Sequence, residues 1–298
     1  MEMDESSAPQ RSAGSTYSLD NFSREAPARF DALSGMFDRG TIRHLEDRGV
    51  SENWRCLEVG GGGGSITSWL ANRVGSSGHV VVTDIDPRYL EPLAAQNVEV
   101  RKHNIVTDPL PDVTFDLIHA RLVLVHLPER ERVLKRLVSA LKPGGWLVDE
   151  EFDSVSLLPD PTVSPGEVSL NTQLAVMRLL KDRGVERRFG RLLYGRLRAH
   201  GLVEVGAEGR LFMWRGGSSD VSLMRTNFKQ LRGALLEAHY TTEQKVDQDS
   251  AQLDDPDFMT PSPIMWTAWG RRPTVCEPLR SEELEFSPAR KFAQPESF

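Results

Sequence analysis

The sequence predicts an α/β fold in which a parallel sheet is covered by helices on both faces. Three observations carry that prediction. Short apolar runs alternate with helical patterns from residue 54 to residue 152. The first run, Arg55-Cys-Leu-Glu-Val, leads into five consecutive glycines, Gly60–Gly64, and then into a helical pattern with Ile66, Trp69, Leu70 and Val74 on one face. An acid, Asp84, closes the second apolar run, twenty positions beyond Gly64.

The elements follow in order. Residues 1–16 are rich in Ser, Ala, Gly and acids and read as disordered. Residues 17–49 form an N-terminal helical segment. One helix begins at Ser23, with Phe30, Leu33, Met36 and Phe37 at helical spacing, and a second covers about 41–48. Strands are expected at 54–59, 79–84, 98–102, 115–120 and 146–152. Helices are expected at 88–96, after Pro87, and at 129–141, whose apolar face holds Val133, Leu134, Leu137 and Val138. A proline-rich loop leads to helices at 167–183 and 191–200. A long strand at 202–215 is expected to break at Gly206 or Gly209. Helices at 220–239 and 242–251 precede a last strand at 264–269. The main domain therefore spans 50–272, with helical insertions near 154–189 and 216–261, and a Pro-, Glu- and Ser-rich tail covers 273–298.

Composition bounds the function. The 298 residues carry 36 Lys and Arg against 43 Asp and Glu, a net charge of -7, which gives no support for a nucleic-acid partner. No apolar run approaches the ~20 residues of a membrane span, and the acidic, polar N-terminus does not resemble a signal peptide, so cytoplasmic is the default reading. Cys56 and Cys276 lie far apart, and neither has a Cys or His neighbour at metal-ligand spacing. Cys56 reads as a core thiol, and no metal site is expected.

A strand, a glycine-rich turn and a helix in succession make a cradle for polar ligand atoms. Glycines let the backbone approach closely, and the helix start offers unpaired N–H groups. The spacing Gly60-x-Gly62-x-Gly64 fits the nicotinamide fingerprint poorly, and no Lys-Ser/Thr pair follows to make a P-loop. Asp84 at the end of a strand can accept hydrogen bonds from a ribose diol, which adenosyl and dinucleotide cofactors share.

Leu57-Glu-Val-Gly-Gly-Gly-Gly-Gly-Ser, Val82-Thr-Asp-Ile-Asp, Phe115-Asp-Leu-Ile-His-Ala-Arg and Leu141-Lys-Pro-Gly-Gly-Trp-Leu occur in order. Together they resemble the class I S-adenosylmethionine-dependent methyltransferases over about residues 50–152. The resemblance implies a Rossmann-like, seven-stranded, mostly parallel sheet whose last strand is antiparallel, with the helical additions forming a cap. It implies S-adenosyl-L-methionine as cofactor and a small-molecule methyl acceptor, acted on by a monomer or homodimer. By the same likeness Glu58 engages the cofactor's amino group, Gly60, Gly62 and Gly64 let the backbone wrap it, Asp84 holds the ribose, and Ile85 packs on the adenine. Asn104 stands where the family often has an Asp for the adenine amino group, with Ile105 beside it. Ala120 and Arg121 lie next to the methionine portion, over which Tyr17 and Asn21 are placed to close.

The catalytic residues are not evident from the sequence. His126 and Glu150 are the candidates for a general base, Glu150 from the cluster Glu150, Glu151 and Asp153 at the end of the fifth strand. Helix packing or capping is the simpler role for His126, and His119 reads as structural. Phe30, Met36, Phe37, Met177, Leu223, Met224, Phe228 and Leu231 would suit a roof over an apolar acceptor, and equally any buried helix face. The basic stretch Lys181–Arg198 reads as a solvated face or as the seat of an anionic substrate group. His239 and Tyr240 have no assigned place. The alternatives to methyl transfer are a cofactor-binding protein without transfer and, against the glycine spacing, a nicotinamide oxidoreductase.

Overall fold

The computed structural model describes residues 19, 21, 23–155 and 171–274. Its centre is a seven-stranded sheet built from β1 (Arg55–Val59), β2 (His79–Asp84), β3 (Val98–Lys102), β4 (Phe115–Arg121), β5 (Leu141–Asp153), β6 (Val203–Arg210) and β9 (Ile264–Arg271), in the order β3-β2-β1-β4-β5-β9-β6. β9, the last strand among the described residues, is antiparallel to both its neighbours, and the other six strands of the sheet run one way. The strand order reverses between β1 and β4. In such sheets the crevice beyond the strand ends at that reversal is the ligand site.

Each face is closed by its own apolar cluster. On one side Leu57, Val81, Ile118 and Leu147 meet α3 (Arg130–Ala140) through Val133, Leu134 and Leu137, and α5 (Phe189–Ala199) through Phe189, Leu193 and Leu197. On the other side Cys56, Val80, Val82, Leu117 and Val148 meet α2 (Ser65–Val74) and the end of α1 (Ala26–Asp47), through Ile66, Leu70 and Leu45. Cys56 is a buried core thiol, and burial pushes its pKa up. A third cluster lies over the C-terminal edge of the strands. It joins α4 (Asn171–Asp182), α6 (Ser222–Glu237) and Trp214 of the small β7–β8 ribbon (Met213–Arg215 with Met259–Pro261), with Leu33 and Met36 of α1 packed against it. α7 (Glu243–Gln252) backs α4 and α6 from outside. No helix among the described residues is long and apolar enough to cross a membrane.

Four local expectations are corrected. The N-terminal segment is one helix, α1, and not two. Gly40 does not take the positive φ that Gly49 takes beyond the end of the helix, and it is where the Arg210 side chain crosses, so that a Cβ there would overlap the guanidinium. Residues 88–96 make two 3₁₀ turns, Pro87–Tyr89 and Glu91–Leu93, since Pro92 has no N–H to continue a helix and its ring clashes with the turn before it. The strand at 202–215 divides at Leu211–Phe212. Gly206 and Gly209 lie inside β6, where the rings of Trp269 and Trp266 on β9 occupy the space that side chains would need. β5 starts at Leu141, its register against β4 shifting between Phe115 and Leu117, so Pro143-Gly-Gly belongs to the strand.

Candidate active site

The glycine turn is shaped from both ends. β1 stops when the N–H groups of Gly60 and Gly61 both turn to the carbonyl of Thr83 on β2, at 2.7 and 3.2 Å. Gly62 then takes φ 55, a left-handed conformation that costs most side chains free energy, and its N–H donates to Asp84 Oδ2 at 3.2 Å. A Cβ on Gly62 would come within 3 Å of the Phe30 ring on α1, and one on Gly63 within 3 Å of the Phe30 Cβ. The turn is therefore a bare-backbone cradle facing α1.

Asp84 is almost fully buried. Its Oδ1 accepts from the Asp86 N–H at 3.0 Å and from Asn21 Nδ2 at 3.4 Å, and burial raises its pKa above the ordinary carboxylate value. Ile85, next to it, is 44 % exposed, an apolar surface left open on the rim. Ile105 is buried on the far side of the same rim. Asn104 lines the rim too, with its side-chain oxygen taking the N–H of Val106 at 2.9 Å in a local turn.

Glu58 occupies the inner wall, 5 % exposed. Its Oε2 accepts from Thr67 Oγ1 at 3.0 Å, and its Oε1 lies 3.7 Å from His119 Nδ1. The other nitrogen of His119 is 3.5 Å from Glu150 Oε2. Burial disfavours charge on this imidazole, yet the two carboxylates overcome it and raise its pKa to about 9. His119 is thus a buried imidazolium between Glu58 and Glu150.

Glu150 is fully buried behind the wall. Its oxygens are taken by Thr41 of α1, by Arg210 Nη2 at 2.7 Å and by Thr267 Oγ1 at 2.5 Å, besides His119. Burial alone would raise its pKa, but His119, then the Arg121 charge and the Thr267 hydrogen bond, hold it at about 2. The structure therefore places Glu150 as the knot tying α1, β5, β6 and β9 together, away from the cavity where a base would be needed.

The opposite face of β5 carries a second acid, Glu151. Its Oε1 accepts the N–H groups of Val123, Leu124 and Val125 at 3.1, 2.6 and 3.2 Å. This grip fixes the 3₁₀ turn Leu124–His126 directly after Leu122, a non-glycine residue at φ 56. Such a conformation costs about 1–3 kcal/mol and persists only when its surroundings enforce it. The enforced turn puts Leu122, Val123, Val125 and His126 on the cavity wall. Burial, then the charges of Arg29 and Arg130, lower the His126 pKa to about 4, so the imidazole is neutral at pH 7.

The glycine turn, Glu58, Asp84 and the His126 turn surround one cavity of about 380 Å³, within the ~300–1,000 Å³ range of small-molecule sites. Its floor is Glu58, Gly60–Gly63, Asp84, Ile85, Asn104, Ile105 and Arg121. Its roof is Phe30 and Leu33 from α1, Val176 and Met177 from α4, and Leu223 and Met224 from α6. Of the residues expected in the roof, Phe37, Phe228 and Leu231 lie in the core and Met36 packs beside it. Ala120 is buried within the sheet core, since alternation along β4 turns it away from the cavity. Gly64 caps α2 with φ 79 and is not on the wall. Arg121 is on the wall, paired to Asp38 at 2.9 Å. Asn21 is on the wall, and Tyr17 lies outside the described residues. Of the basic stretch, Arg187 alone faces the cavity among the described residues. Tyr240 instead donates its hydroxyl to Asp182, outside it.

Sequence reading overlooked Arg29, Gln173, Trp214 and Asn227. The last three line the chamber under the roof, and Gln173 Oε1, Trp214 Nε1 and Asn227 Oδ1 have no hydrogen-bond partner among the described residues. No sequence signal marks them, because each sits in a helix or short strand whose apolar neighbours set the pattern.

The residues present suit an adenosyl amino-acid cofactor: a bare-backbone cradle, a strand-end acid beside it, an apolar rim residue, and an inner carboxylate for a cationic group. Comparison with known proteins agrees. Residues 57–149 match the family model described as a methyltransferase domain. The methyltransferase str2 of Strobilurus tenacellus is 32% identical over 142 residues, which is 47% of this chain and 50% of that one. Its companion str3 is 30% identical over 170 residues, 57% of this chain and 60% of that one. The ubiquinone/menaquinone biosynthesis C-methyltransferase UbiE of Cronobacter sakazakii is 30% identical over 138 residues, 42% of this chain and 55% of that one. The chain thus spans half to three-fifths of these relatives. Among solved structures, a phosphoethanolamine N-methyltransferase 2 from Haemonchus contortus superposes with a TM-score of 0.56 at 11% identity, covering 87% of this chain and 61% of that one. That likeness concerns the fold alone.

Proposed function

We propose that the chain, whose residues 57–149 match a methyltransferase-domain family model, is a class I S-adenosylmethionine-dependent methyltransferase that moves a methyl group to an O, N or C atom of a small, partly apolar metabolite. One observation carries the reading: a single cavity joins the glycine turn, Glu58 and Asp84 to an apolar chamber under α1, α4 and α6. When bound, S-adenosylmethionine supplies an electrophilic methyl carbon on a sulfonium centre. The chain supplies position and dryness.

Glu58 would hold the cofactor's amino group, with His119 and Thr67 fixing the carboxylate. Asp84 would hold the ribose hydroxyls and Ile85 the adenine face. Phe30, Val176, Met177, Leu223 and Met224 would exclude water and accept an apolar acceptor body. His126 is the imidazole on the cavity wall that would take the proton of an acceptor hydroxyl or phenol, as a weaker base than a free imidazole because burial lowers its pKa. Natural-product biosynthesis is a setting consistent with such an acceptor, and the relatives from Strobilurus tenacellus are methyltransferases by name.

The test is a product-mass assay with S-adenosylmethionine and a panel of phenols, carboxylic acids and amines, including substrates suggested by neighbouring genes. A gain of one methyl group on a panel member is expected. Methylation confined to protein or RNA would overturn the acceptor class. The second reading, cofactor binding without transfer, is favoured by the enclosure of Glu150, which leaves no β5 carboxylate on the wall. It would be supported by tight S-adenosylhomocysteine binding with no methylated product.

A further inference from the structure

Arg29 lies on α1, outside the segment that matches the family model, and only 3 % of it is exposed. Its Nη2 donates to Asn21 Oδ1 at 3.0 Å, and its guanidinium sits 5.2 Å from the Phe30 ring centre. Its Nε has no hydrogen-bond partner, and no carboxylate pairs with it among the described residues. A guanidinium brings five N–H donors and a fixed charge into a buried place. Burying an unpaired charge is unfavourable, so proteins pair such groups almost without exception.

The other cations on this cavity wall are supplied from within the chain. Arg121 pairs with Asp38, and Arg187 donates to the Ser154 carbonyl and to Met177 Sδ, both at 3.2 Å. At Arg29, Asn21 stands between the guanidinium and Asp84. The amide oxygen takes Arg29 and the amide nitrogen donates to Asp84, so the two opposite charges are kept apart. Both stay available on one wall of the cavity, one as an acceptor and one as a donor.

We propose that Arg29 is a carboxylate anchor, whose guanidinium receives the carboxylate of a ligand bound in this cavity. The proposal rests on reading the cavity as the cofactor and acceptor site. Two ligands could bring that group: the amino-acid end of the cofactor, or an acidic acceptor. The planar fork of arginine suits a carboxylate with two parallel N–H···O bonds, which lysine cannot reproduce.

The experiment uses the full chain and two probes that share an adenosine. S-adenosylhomocysteine has the amino-acid carboxylate, and 5′-methylthioadenosine lacks it. Calorimetry is run on wild type, Arg29→Gln and Arg29→Lys, followed by a benzoate titration of the S-adenosylhomocysteine-loaded protein. A loss of about tenfold or more for S-adenosylhomocysteine in Arg29→Gln, with methylthioadenosine unchanged, assigns the anchor to the cofactor. Unchanged S-adenosylhomocysteine binding together with loss of benzoate binding assigns it to the acceptor. Equal weakening of both adenosyl probes without an effect on benzoate, or no effect on any probe, overturns the proposal. If the variants fail to fold, the Arg29 Nε–H resonance of the wild type decides. It must shift with S-adenosylhomocysteine or benzoate and stay in place with methylthioadenosine. Should wild type bind neither adenosyl probe, the methyltransferase reading fails, and the benzoate arm still tests the anchor.

Discussion

Replacing Asp84 by Asn tests the cofactor half of the site. Asp84 is buried and, among the described residues, already serves three hydrogen-bond donors: the N–H groups of Gly62 and Asp86, and Asn21 Nδ2. An ionised carboxylate offers about four lone-pair sites, so at least one is left for a ribose hydroxyl. Asn keeps one acceptor oxygen and loses the charge. Hydrogen bonds to charged groups contribute about 1.5–3 kcal/mol, which corresponds to a loss of about 10- to 150-fold in affinity. The assay is calorimetry with S-adenosylhomocysteine and methylthioadenosine. Both contain the ribose, so both should weaken together. The pH profile adds a second reading. Burial raises the Asp84 pKa, so wild-type affinity should fall on acidification earlier than an ordinary carboxylate would allow. Asp84→Asn should lack that limb. A folded Asp84→Asn protein that binds within twofold of wild type would remove Asp84 from the site.

Other perturbations address the base and the buried charges. His126→Phe should lower kcat by about 10²- to 10⁴-fold on a hydroxyl or phenol acceptor if the imidazole takes its proton, with S-adenosylhomocysteine affinity unchanged. An unaltered kcat would dismiss it. Arg29→Gln should raise the His126 pKa from about 4, because the Arg29 charge is one of its causes, and an imidazole NMR titration reads this directly. His119 has a folded pKa of about 9 against an ordinary 6.5, so its stabilisation is complete below pH 6.5 and is lost as pH rises through 9. Thermal unfolding temperature should fall over that window, and a flat profile would refute the imidazolium. Asp149 is buried with no partner for either oxygen among the described residues, and burial raises its pKa to about 7. Its ionisation works against the fold as pH rises towards and through 7. Asp149→Asn should therefore stabilise the protein, with a larger gain at pH 8 than at pH 5.

The sheet and the cofactor cradle were legible because backbone chemistry dictates them. Buried parallel strands need continuous apolar runs, and Val80–Val82 or Leu117–Ile118 can serve little else. A turn whose backbone must lie bare against a ligand needs glycines, and a strand-end acid needs a position relative to them. The roof was visible only as helices. Which of their apolar residues face the cavity depends on how α1, α4 and α6 rotate against each other. Phe30 and Phe228 read alike in the sequence, yet one covers the glycines and the other fills the core.

The acids on β5 show where the limit lies. Asp149, Glu150 and Glu151 follow one another, and alternation assigns Glu150 to one face and its two neighbours to the other. Alternation cannot say what waits on each face. Glu150 meets two threonines, an arginine and an imidazolium brought from four other elements, and becomes a fixed anion. Glu151 meets three N–H groups of the turn that carries His126, and burial with Asp149 beside it pushes its pKa up. A carboxylate near a ligand edge thus becomes a fastening, while a buried cation reaches the cavity wall from Arg29 on the N-terminal helix. If Glu151 acts only as that fastening, Glu151→Gln, which keeps an acceptor oxygen, should retain most activity. Glu151→Ala should lose it together with the geometry of Leu122. A Glu151→Gln enzyme that binds S-adenosylhomocysteine normally but no longer transfers methyl groups would place Glu151 in the chemistry and refute that division of roles.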